Sequence, residues 1–121
     1  MKRYHHFGLP APDQETPIPG EFWLEGGRLW ITNPNHHPQR VEWPRFASDH
    51  PGTPESRAQP HICYEVDDIE AAVAGKALIR PIGPMGDPPF ALAAFTDEDG
   101  IQVEYIQITG ERRWFDDPLP E

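Results

Sequence analysis

The chain has 121 residues, enough for one hydrophobic core and too few for a second. Twenty acidic against ten basic side chains give a formal net charge of −10, and no Lys/Arg stripe interrupts it, which disfavours nucleic acid as a partner. Four tryptophans argue against a disordered chain, while 16 prolines limit helix and favour strands, turns and extended links.

In chain order, residues 4–9 read as a short strand stopped by Pro10, and residues 10–20 as an irregular loop holding Pro10, Pro12, Pro17 and Pro19. Phe22-Trp23-Leu24 is apolar but short, and Gly26-Gly27 marks a turn. Residues 28–32 alternate as a strand, and residues 40–46 form another, in which Pro44 implies an edge or a bulge. Residues 47–60 read as a loop. Pro60 then introduces a strand over 61–66, and Asp67 or Asp68 caps a helix with Ile69, Ala72 and Val73 as its apolar stripe and Gly75 as its stop. Residues 76–81, 90–96 and 101–108 complete the set as strands, with a loop over 83–89 and a turn at 97–100. That turn is a simpler reading of Asp97 and Asp99 than a calcium loop. After Gly110 the polar tail carries Trp114 and Phe115, which are expected to dock loosely.

The second half is therefore β-α-β-β-β, and the first half repeats the order in reduced form without a helix. Such a repeat points to two modules sharing one half-barrel around a cavity. The expected division is module one over about 1–48, a linker over 49–59, module two over 60–108 and a tail over 109–121.

Strand parity selects the side chains able to meet. His61, Cys63 and Glu65 share a face, as do Gln102, Glu104 and Ile106; Glu42, Pro44 and Phe46; and Tyr4, His6 and Gly8. Each half thus offers one histidine on its first strand and one glutamate on its last. Glu42 and Glu104 sit inside apolar strands, where an ionised carboxylate needs a cation or hydrogen-bond donors. Two imidazoles and two carboxylates suit Zn, Ni, Mn, Co or Fe. Taken singly, each of the four has an ordinary reading: an exposed histidine, or the polar face of an edge strand. His5 is the rival to His6, but residues facing the cavity should share parity with Gly8, whereas Phe7 and Leu9 look like packing residues, so His6 is preferred and His5 is expected to face outward. His36, His37 and His50 fall in loops and are expected to be solvated.

The runs His61-Ile62-Cys63-Tyr64-Glu65-Val66-Asp67-Asp68-Ile69 and Phe95-Thr96-Asp97-Glu98-Asp99-Gly100-Ile101-Gln102-Val103-Glu104-Tyr105-Ile106 resemble the second module of the vicinal-oxygen-chelate superfamily of glyoxalases, epimerases, extradiol dioxygenases and bleomycin-resistance proteins. His6-Phe7-Gly8-Leu9 and Arg40-Val41-Glu42-Trp43 resemble the opening and closing strands of its first module. The resemblance implies an α+β fold of two βαβββ-type modules, the first reduced. It also implies a divalent metal held by His6, Glu42, His61 and Glu104, with His6 preferred over His5. By that resemblance the chain is expected to be a lyase or isomerase of the glyoxalase or epimerase kind. It would act on a small oxygenated metabolite through a metal-stabilised enolate, with Glu104 and then Glu42 as the catalytic base. The alternatives are a non-catalytic small-molecule-binding module and an Fe(II) dioxygenase.

Trp30, Trp43 and Phe90 are expected to shape the pocket, and Arg28, Arg40, Arg45 and Arg80 are the cations able to make it locally basic. The lone Cys63 reads as a small buried hydrophobe rather than a catalytic thiol. With no apolar signal segment in the opening residues and no possible internal disulfide, a cytoplasmic location is expected. No stretch is apolar and long enough for a membrane span. The shortened first module leaves apolar strand surface, so a homodimer is expected.

Overall fold

The structure is a computed structural model and describes residues 2–86 and 88–110. At its centre, β1 (Lys2–Gly8) lies antiparallel to β6 (His61–Val66). Each of the two is flanked on its other side by the last strand of its own half, running parallel. These are β4 (Val41–Glu42) along β1 and β9 (Ile101–Ile108) along β6. The six-stranded sheet continues through β8 (Ala91–Glu98) to β7 (Ala77–Met85) at its edge. A second sheet joins β2 (Phe22–Leu24), β3 (Leu29–Ile31) and β5 (Arg45–Phe46).

The break between the two sheets is local to Trp43-Pro44. Pro44 has no N–H to offer, but its carbonyl accepts from Ala11 N at 2.9 Å, and Glu42 O accepts from Leu9 N at 2.9 Å. Trp43 N donates to the Thr32 hydroxyl instead of to a ladder partner. β4 and β5 are thus one strand bent at a proline, paired first with β1 and then with β3. The order β2-β3-β5/β4-β1 mirrors β7-β8-β9-β6 about the β1–β6 seam. This is the α+β half-barrel of two βαβββ-type modules that the strand order implies.

Module two carries α2 (Ile69–Val73), capped by Asp68, whose carboxylate accepts from Ala71 N at 3.2 Å. The chain leaves it through Gly75 at φ +77, a left-handed conformation that glycine adopts without a Cβ clash. Ile69 and Val73 pack on Val66, Ala94, Val103 and Tyr105, covering the convex face of the sheet. Each such buried aliphatic side chain contributes about 1.5–3 kcal/mol. On the concave face Cys63, Ile106, Phe90 and Ala91 pack against Leu24 and Ile31 of the smaller sheet. Cys63 is fully buried, as a small hydrophobe, and burial raises its thiol well above the usual range.

Among the described residues of module one there is no α-helix, as expected from the prolines, whereas several other elements depart from expectation; residues 10–21 are held by Gln14 and by a buried Arg45–Glu21 ion pair. Gln14 donates to Ala11 O and accepts from Phe46 N. The segment read as a loop contains α1 (Pro54–Ala58), five residues capped by the Thr53 hydroxyl on Ser56 N. β7 runs to Met85 through Pro81 and Pro84, where residues 83–89 read as a loop; prolines are tolerated because β7 pairs on one side only. β8 extends to Glu98, so the β8–β9 turn shrinks to Asp99-Gly100, at φ 59 and φ 84, a two-residue hairpin. The tail with Trp114 and Phe115 lies outside the described residues.

Candidate metal centre

The ladder register places the four selected residues in two adjacent cross-strand rows. One row runs His6–Cys63–Glu104 across β1, β6 and β9; the next runs Glu42–Gly8–His61–Gln102 across β4, β1, β6 and β9. Small residues, Cys63 and Gly8, stand between the large ones in each row, so the long side chains fold over them and converge. Gly8 is essential to this: a Cβ there would lie 2.0 Å from His61 Cε1 and 2.5 Å from both ring nitrogens.

His6, Glu42, His61 and Glu104 come together, all buried. His6 Nε2 lies 3.2 Å from His61 Nε2 and 3.3 Å from Glu104 Oε1, and His61 Nε2 lies 3.2 Å from the same oxygen. His6, His61 and Glu104 form a mutually adjacent trio, and Glu42 joins through His6, with Oε1 at 3.4 Å from Nε2. Metal–ligand bonds of about 2.1 Å separate neighbouring donors by roughly 3.0–3.4 Å, depending on coordination geometry. The spacing and the nitrogen–oxygen chemistry therefore fit a first-row divalent cation.

Electrostatics follow from burial and hydrogen bonding. Burial holds the His6 imidazole below its ordinary value, so it is neutral at pH 7. Burial alone would push the Glu104 carboxyl up, but hydrogen bonds from His6 and His61 outweigh it and hold the group far below the usual carboxylate range. The centre at neutral pH thus presents an ionised Glu104 beside a neutral His6, the protonation states a cation needs.

Parity misplaces His5. A bulge between Tyr4 and His6 turns His5 inward, where it is buried, with Nδ1 2.7 Å from His6 Nδ1. An outward-facing bystander was expected; the doublet His5-His6 was the only trace of this contact in the sequence. A hydrogen bond of that length needs one proton between the two nitrogens. Were His6 to offer Nε2 to a cation, its Nδ1–H would donate to His5 Nδ1, and His5 would hold the competent tautomer. His5, His6 and Cys63 are also mutually close, and burial with the Glu104 and Glu42 carboxylates holds the Cys63 thiol well above its ordinary value.

A cavity of about 120 Å³ opens on Glu42, His61 and Glu104. Phe46 and Phe95 are its aromatic walls, in place of the expected tryptophans. Trp30 packs on Trp23, 4.5 Å between ring centroids, and under the Arg45 guanidinium; Trp43 packs on His37; Phe90 is buried in the core. His50 also lines the cavity instead of being solvated, because its Nδ1 bonds to Gly27 O. Ser56 of α1 lines it too, and donates to Gln102 Oε1 at 2.6 Å.

No protein-family profile matches the chain. No curated protein matches it either. Among solved structures it is similar to the hypothetical protein BH1468 from Bacillus halodurans C-125, with a TM-score of 0.61 and 15% identity, covering 93% of this chain and 98% of that one. It is also similar to a triple mutant of 4-hydroxymandelate synthase from Streptomyces coelicolor, with a TM-score of 0.53 and 17% identity. There the match covers 93% of this chain and 50% of that one, so the chain spans half the length of the synthase. These likenesses show the fold, which is vicinal-oxygen-chelate-like.

Proposed function

We propose that the chain is a divalent-metal-dependent enzyme, a lyase or isomerase of the glyoxalase or epimerase kind, acting on a small oxygenated metabolite. The observation that carries this reading is the pair of buried carboxylates, Glu42 and Glu104, meeting two imidazoles at the wall of a cavity. A bound divalent ion would polarise a substrate oxygen and so acidify the neighbouring C–H.

His6, His61 and Glu104 are the residues that would hold the ion, with Glu42 as the fourth donor. Glu104 stands between both imidazoles and its basicity is strongly suppressed. Glu42 reaches one imidazole and lines the cavity, so we assign Glu42 as the base that takes the substrate proton and returns it to the adjacent carbon. That reverses the order inferred from sequence, where Glu104 came first.

A second reading rests on the trio His6, His61 and Glu104. Two histidines and one carboxylate, with other positions open, are the donor set of Fe(II) oxygenases. The 4-hydroxymandelate synthase match shares the fold and adds no activity to this chain. The two readings separate by one experiment. Protein loaded with Ni, Co or Zn is incubated in deuterated water with a panel of small 2-oxo and 2-hydroxy acids, and protein loaded with Fe(II) is monitored for oxygen uptake. Deuterium incorporation that is lost in Glu42→Gln with metal content retained supports the isomerase. Oxygen uptake without exchange supports the oxygenase, and neither activity leaves a binding module.

A further inference from the structure

The cavity has a second pole. Of its lining residues Arg80 is the one Lys or Arg; Leu24, Leu29, Ile31, Phe46, Met85 and Phe95 supply apolar lining, and His50, Ser56 and Gln102 add polar groups beside the metal-centre side chains. Arg3, Arg28, Arg40 and Arg45 each donate to a carboxylate, carbonyl or amide oxygen of the protein. Arg80 makes no hydrogen bond or ion pair to any described residue, although it is half-buried in a chain of net charge −10. The register of β7 shifts on both sides of it, between Leu78 and Arg80 and again between Arg80 and Gly83. Bulges re-aim side chains, and paired bulges around one arginine at a cavity wall are a means of turning it inward from an edge strand. A guanidinium offers a fork of N–H donors, and leaving it unmatched in a partly dry site loses several hydrogen bonds.

We propose that Arg80 anchors an anionic substrate group and that the cavity takes a small monocarboxylate. Its carboxylate pairs with Arg80, its apolar body fills the space between Leu29 and Phe95, and its oxygen-bearing carbon faces Glu42, His61 and Glu104. This deepens the metal-centre reading and rests on it for the orientation of the substrate, but not for the carboxylate contact. One arginine satisfies one carboxylate bidentately. A polyphosphate or CoA ester would bring several charges to an acidic surface with one cation to meet them.

The test uses phenylacetate, its uncharged isostere phenylacetamide, and phenyl phosphate, each titrated by amide-resolved NMR into chelator-treated and zinc-loaded protein. Phenylacetate is expected to bind at least about tenfold tighter than the amide in both forms, with shifts centred on residues 78–85 and 91–96. Arg80→Gln should reduce that preference to about twofold or less, Arg80→Lys should keep part of it, and both should take up zinc like the wild type. Equal binding of acid and amide, an Arg80→Gln variant that keeps the preference, or no binding of any probe at millimolar concentration would overturn the proposal. Tighter binding of phenyl phosphate than of phenylacetate would overturn the carboxylate assignment. A protein that prefers phenylacetate without metal yet takes up no zinc keeps Arg80 in this role and removes the metal-centre reading. Normal zinc uptake with no acid preference does the reverse.

Discussion

Alanine in place of Gly8 adds one methyl group where the His61 ring lies. The new Cβ would stand 2.0 Å from Cε1, and an ordinary carbon–carbon contact needs about 3.5 Å, so the ring must move by about 1.5 Å. A ligand keeps its bond only within about 0.2 Å of the proper length, so His61 leaves the donor set. If four donors together supply about 10–16 kcal/mol to zinc binding, losing one removes roughly 3 kcal/mol, a weakening of about 100-fold. The fold should survive, because Gly8 is outside the left-handed region and the obstruction is the far end of a side chain. The assay is competition with a chromophoric chelator, with thermal melting to confirm folding. Gly83→Ala, where the nearest atom lies 4.0 Å away, is the control and should bind like the wild type. Gly8→Ala protein that is folded and binds zinc within about threefold of the wild type would refute the reasoning.

His5→Phe removes the acceptor for His6 Nδ1–H and should weaken zinc binding by about 10–100-fold, whereas His5→Asn, whose Oδ1 can stand in for Nδ1, should recover most of it. Equal binding by the two variants and the wild type would show His5 to be a bystander. The metal-free protein should lose stability as pH falls from about 6.5, because the unfolded His6 takes a proton that the buried one resists. Below about 4.5 the loss should steepen, since the unfolded Glu104 is then protonated while the folded one stays ionised. A melting temperature that is flat from about pH 7 to pH 5 would contradict the His6 shift, and one that is flat from about pH 4.5 to pH 3 the Glu104 shift. We also propose a homodimer that covers the exposed Leu78, Ile79 and Ile101; sedimentation at micromolar concentration should give twice the chain mass, and a monomeric mass would count against it.

Legibility varied with the length and punctuation of the strands. β6 and β9 have the bounds expected of them, because six and eight residues of uninterrupted pattern sit between Pro60 or Gly100 and a polar stop. Glu42 and Glu104 stood out as carboxylates in apolar strands, and they are buried as that pattern requires. Module one was harder to read. Apart from β1, its strands are two or three residues long, too short for any period, and Pro44 divides one of them. His5 was misread because parity assumes an unbroken ladder and a bulge inverts it. β7 was cut short because Pro81 and Pro84 argue against a strand wherever both edges must pair. Trp30 and Trp43 looked like pocket walls, yet each found a partner outside the cavity. No helix among the described residues is long and apolar enough to cross a membrane, in line with the absence of a long apolar run.

The central claim is that His6, Glu42, His61 and Glu104 hold one divalent cation. Equilibrium dialysis of chelator-treated protein against zinc, followed by elemental analysis, tests it most directly when the wild type is set beside the His61→Ala/Glu104→Ala double variant. The account predicts one zinc per wild-type chain and a fraction of that in the folded double variant. Equal stoichiometric zinc in both, or none in the wild type, would contradict it.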